Sequence, residues 1–122
     1  MHMALWIAQS ILAAAMLGAG LMKLMKTKEQ LAPKMRWVEG FTPGQIRLIG
    51  VVEVLAAVGL VLPAALGVLP ILVPIAAAAL VPLMIGAAVV HLKLGETPAP
   101  PLVLGAIAAF VTIGRFAIAP FA

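Results

Sequence analysis

Three side chains in this sequence could do chemistry together: Lys23, Glu53 and His91. An ammonium, a carboxylate and an imidazole in a low-dielectric pocket suit a polar headgroup, a quinone carbonyl or a proton relay. Glu53 is the key to the set, because it interrupts the apolar run from Gln45 to Leu62 (QIRLIGVVEVLAAVGLVL). A carboxylate inside such a run costs about 2.5 to 3.5 kcal/mol on insertion scales unless it is paired or protonated. Arg47 marks the interface before it, which puts Glu53 roughly 9 Å inside at about 1.5 Å per helical residue.

The elements that must hold these residues follow from composition. With 65% hydrophobic and 10% charged residues, the 122-residue chain departs far from a soluble domain and reads as an integral membrane protein. There is room for about four spans of roughly 20 residues each, and none for a separate soluble catalytic domain. The expected fold is all-α, a four-helix membrane bundle with spans near residues 4–23, 43–62, 70–92 and 101–119 in one domain covering residues 1–122. Without cysteine the chain offers no disulfide or thiolate ligand, and with its two histidines expected on opposite sides of the membrane no metal site is expected. No phosphate loop or nucleophile elbow is present, and no reaction can be read from the residues. The net charge of +4 implies no nucleic-acid partner, since five of the eight basic residues crowd between Lys23 and Arg36 as a topology signal.

Helical periodicity assigns faces. Gln9, Ala13, Met16, Gly20 and Lys23 share one stripe of the first span, and Gly50, Glu53, Ala57 and Leu60 share one of the second. In lipid, stripes of small and polar residues turn toward other helices. Lys23 is therefore expected to point inward, with snorkelling to the headgroups as the alternative. Between these spans, Leu24 to Thr42 mixes Lys26, Lys28, Lys34 and Arg36 with Leu31, Trp37 and Phe41 and reads as an interfacial basic segment interrupted at Pro33. Thr42-Pro43 supplies an N-cap and a proline at the first helical position. Leu62-Pro63 is expected to end the second span, and Pro82 to lie mid-helix in the third. His91 closes the third span, with an interfacial hydrogen-bonding role as the alternative to a site. In the fourth, Gly105, Ala108, Thr112 and Arg115 step along one face; sequence does not decide whether Arg115 snorkels outward or bends inward, and snorkelling is the favoured expectation. Met1-His2-Met3 reads as an added leader before a start at Met3, which leaves His2 without function.

Charge sets orientation. Lys23, Lys26, Lys28, Lys34, Arg36, Arg47 and Lys93 fall on one side and Arg115 on the other, so both termini are expected outside and both charged loops in the cytoplasm. Lys23, Glu53 and His91 then occupy the cytoplasmic half on three helices, at depths that allow convergence. Their structural role would be a buried ion pair fixing helix register, with His91 as a third member. Their functional role would be a site for a bound quinone or lipid.

Several segments carry a family resemblance. Gly20-Leu21-Met22-Lys23-Leu24, Gly50-Val51-Val52-Glu53, Leu62-Pro63, and Ala87-Ala88-Val89-Val90-His91 before Gly95-Glu96 resemble, in order and spacing, the DoxX-like family of small four-helix membrane proteins. The likeness spans nearly the whole chain. It implies a four-helix bundle and, through the founding members, a small subunit of quinone-coupled respiratory complexes; other relatives imply oxidoreductase assemblies or assembly factors. The polar positions it implies here are Lys23, Glu53 and His91. The expected function is a subunit of, or accessory to, a quinone-linked oxidoreductase in the cell inner membrane, with a structural or assembly protein as the alternative. No intrinsic cofactor is expected beyond a bound quinone or lipid. The expected partners are the lipid bilayer and a homo-oligomer or larger membrane complex, because so small a bundle leaves helix faces uncovered.

Overall fold

The computed structural model describes residues 1–33 and 35–118; Lys34 of the basic segment and Ala119, the expected end of the fourth span, lie outside the described residues. Four helices are long and apolar enough to cross a membrane, and among the described residues there is no strand. They are α1 (His2–Met25), α3 (Pro43–Leu66), α4 (Leu72–Lys93) and α5 (Ala99–Ile113), the last continued by a π-helical turn, Gly114–Ile118. Between α1 and α3 come a short helix α2 (Lys28–Leu31) and a 3-10 turn (Arg36–Gly40).

Local sequence fixes where these elements start and stop. Thr42 caps α3 in a reciprocal box: its hydroxyl accepts from Gln45 N–H at 3.1 Å, and Gln45 Oε1 accepts from Thr42 N–H at 2.9 Å. Thr27 and Gln30 repeat the device at α2, which ends before Pro33. The second span runs past its expected end at Leu62-Pro63 to Leu66. Proline deprives the ladder of only one donor, and three residues from a helix end that loss is small. The true stop is Gly67, at φ 68°, a left-handed cap that an L side chain would strain. Pro82 sits inside α4 without ending it.

The helices pack up and down in a ring, α1 along α3, α3 against α4, α4 along α5, with α5 returning to α1. The core joins Leu12 and Met16 of α1, Leu60 of α3, Leu80 and Met84 of α4 and Val111 of α5. A satellite cluster of Leu31, Val38 and Ile46 seats the connecting segment on the start of α3. Large apolar side chains such as Ile7, Leu48, Leu55, Ile85 and Val103 point outward, as lipid-facing residues do.

The paired ends of the bundle as a candidate functional site

Two polar contacts hold the bundle, one toward each end, and both lie on the stripes of small residues. All five residues of the α1 stripe, Gln9, Ala13, Met16, Gly20 and Lys23, are buried, as are Gly50, Glu53, Ala57 and Leu60 of α3. Where the stripes cross, glycine lets backbones touch: a Cβ on Gly20 would come within 2.8 Å of Gly50 O, and one on Gly50 within 2.9 Å of both Gly20 O and Lys23 Cβ.

One turn beyond that crossing, Lys23 Nζ lies 2.7 Å from Glu53 Oε1, with both side chains under a tenth exposed. Lys23 therefore turns inward instead of snorkelling. The ammonium also reaches Ala19 O at 3.5 Å, and it stands 5.5 Å from the centroid of the Trp37 ring, which the 3-10 turn lays beside it. At that distance the ammonium engages Glu53 Oε1, and a carboxylate oxygen with two lone pairs has room for one further donor.

His91 makes a different contact. Its Nδ1 lies 3.6 Å from Glu96 Oε1, a pair made within the α4–α5 turn, and the ring is half-buried. The turn sets this up locally, since Glu96 N–H donates to the His91 carbonyl at 2.9 Å. The three expected site residues are thus drawn as Lys23 with Glu53, and His91 with Glu96.

The opposite end holds a cluster that sequence reading missed. Arg115 was expected to snorkel outward, yet it is 1% exposed. Its Nε donates to Gln9 Oε1 at 2.9 Å, Gln9 Nε2 donates to Leu60 O at 2.7 Å, and its guanidinium carbon stands 5.9 Å from the Trp6 ring centroid. A buried planar guanidinium finding an inward glutamine across the bundle outweighs escape to the headgroups. His2 also belongs here, contrary to its expected lack of a role: its Nδ1 lies 2.9 Å from Arg115 Nη1 and its Nε2 is 3.1 Å from Trp6 Nε1. A neutral imidazole accepts at only one nitrogen, so these two contacts are alternatives. The π-helical turn and Gly114 bring Arg115 in: a Cβ at Gly114 would collide with Leu5 of α1. The usable signal was Gln9 itself, an amide on an inward stripe 106 residues from the arginine that completes it.

Among the described residues no three His, Cys, Asp or Glu side chains gather as metal ligands would. The arrangement offers instead an ammonium donor and a carboxylate acceptor side by side at one end, and a guanidinium with an amide at the other.

A ring of four spanning helices fastened by buried polar pairs defines a small polytopic membrane protein. The sequence pattern of the DoxX-like family matches residues 7–111, and the chain belongs to that family. No curated protein and no solved structure matches the chain.

Proposed function

We propose that the chain serves as a small subunit of, or accessory to, a quinone-linked membrane oxidoreductase in the cell inner membrane, with Lys23 and Glu53 facing the headgroup of a hydrophobic carrier. The observation that carries this reading is the 2.7 Å contact between Lys23 and Glu53, which sets an ammonium and a carboxylate side by side within the bundle. A quinone carbonyl needs a donor, which the ammonium supplies. A quinol hydroxyl needs an acceptor, which the carboxylate supplies. The pair therefore suits both redox forms of such a ligand. His91, near the end of α4, takes part only as a second polar group at that end of the bundle. Charge bias supports an orientation with both termini outside and the basic segment in the cytoplasm. The outward apolar side chains of the four spans suit docking on a larger complex or a second copy of the chain.

The test is to purify the protein in mild detergent, extract it with organic solvent and quantify quinone. About one quinone per chain, reduced in a Lys23→Met/Glu53→Gln variant that still folds, supports the reading. A blank extract supports the second reading, a structural or assembly protein whose polar pair only fixes packing. That alternative draws on the Gly20–Gly50 crossing, which makes the same pair a device for helix register.

A further inference from the structure

Beside Lys23, but opening outward, lies a cleft of about 180 Å³ formed by the end of α1, the start of α2 and the start of α3. Its polar lining comprises Lys23, Lys26, Thr27, Lys28, Glu29 and Arg47, four cations against one carboxylate. Lys23 is buried and already faces Glu53. Among the described residues, Lys26, Lys28 and Arg47 have no ion-pair partner, although they crowd one small space from three elements. Thr27 lines the cleft, and its Oγ1 accepts from Gln30 N–H at 3.2 Å, which leaves the hydroxyl hydrogen available as a donor.

We infer that this cleft binds the phosphate of an anionic phospholipid headgroup. Like charges held together in one concavity repel unless an anion joins them, and phosphate answers both the arginine fork and the lysine point charges. Size agrees, since ligand pockets for drug-sized molecules start at about 300 Å³, and this cleft has room for a small charged group and little more. Position separates a lipid from free phosphate. Lys26 follows the end of one membrane span and Arg47 opens the next, so the cleft sits at the level where headgroups lie. Lys23 both lines the cleft and touches Glu53, so the cleft adjoins the buried pair through this one residue. Anion binding in the cleft requires no bound quinone.

The experiment uses the full chain in detergent, titrated with dioleoyl phosphatidylglycerol, dioleoyl phosphatidylcholine or inorganic phosphate, and reads bound lipid by native mass spectrometry. One phosphatidylglycerol is expected to remain bound where phosphatidylcholine dissociates, and inorganic phosphate at equal concentration is expected not to displace it. Removing two surface cations in Lys26→Ala/Arg47→Ala should weaken binding roughly thirtyfold. Lys28→Glu, on a different element, should produce a loss of the same kind. Arg36→Ala/Lys93→Ala, which removes equal charge outside the cleft, should leave binding unchanged. Equal retention of both lipids, equal loss in this control, or displacement by inorganic phosphate would each overturn the assignment.

Discussion

Gly20 and Gly50 meet backbone to backbone, and each stands one turn before the charged residue that its helix contributes. A Cβ on either would lie under 3.0 Å from the other's carbonyl oxygen. This crossing brings the Lys23 and Glu53 side chains into a 2.7 Å contact inside the bundle. The glycines thus act on the ion pair through helix separation, without touching the carboxylate.

Alanine at Gly50 should therefore destabilise the fold although alanine is the better helix former by about 1 kcal/mol. Overpacking costs about 1 to 3 kcal/mol, which outweighs that gain. Gly18→Ala, where nothing lies within 4 Å of the added methyl, should be neutral or stabilising. Thermal aggregation in one detergent compares them, and equal behaviour of the two variants would contradict the close crossing.

Gln9→Leu should destabilise the other end, because it leaves Arg115 Nε and the Leu60 carbonyl without their glutamine partner. Hydrogen bonds between membrane helices average about 0.6 kcal/mol. Two losses at once, one to a guanidinium, raise the expected cost to about 1 to 3 kcal/mol. Proteolysis resistance measures it, with Ser10→Ala, an exposed neighbour, as the control.

How far these contacts were legible varies with their range. The spans, the Thr42 cap and the inward faces of α1 and α3 follow from local pattern, because hydrophobic run length and helical period act within one element. The orientation of Arg115 was open in sequence because it depends on Gln9 at the opposite end of the chain, and snorkelling is the favoured expectation for a basic residue judged alone. His91 joined Lys23 and Glu53 on shared depth and the family resemblance. Neither shows whether a nearer acid is at hand, and His91 has Glu96 in the following turn. Pro63 looked like a terminator because its type was weighed without its distance from Gly67, where the backbone leaves the helix.

Membrane orientation can be checked directly because the chain has no cysteine of its own. Single cysteines at Lys28 and Ala65 stand beyond or near opposite ends of membrane-spanning helices. In intact cells an impermeant thiol reagent should label position 65 and spare position 28. Labelling of position 28 from outside would reverse the orientation.

The most direct measurement of the central claim, that Lys23 and Glu53 act as one buried unit, is a double-mutant cycle in the purified protein. Glu53→Gln leaves an ammonium that can still bend toward the interface, whereas Lys23→Met strands the shorter carboxylate, so the lysine change should be the more damaging. Losing one member of a buried pair costs about 3 to 5 kcal/mol, and replacing both relieves the stranded charge. Lys23→Met/Glu53→Gln should therefore be more stable than the sum of its single effects, with a coupling of about 0.5 to 3 kcal/mol in thermal or proteolytic unfolding. Additive single effects, with no coupling in the double variant, would show that the two residues are not partners and would contradict the account.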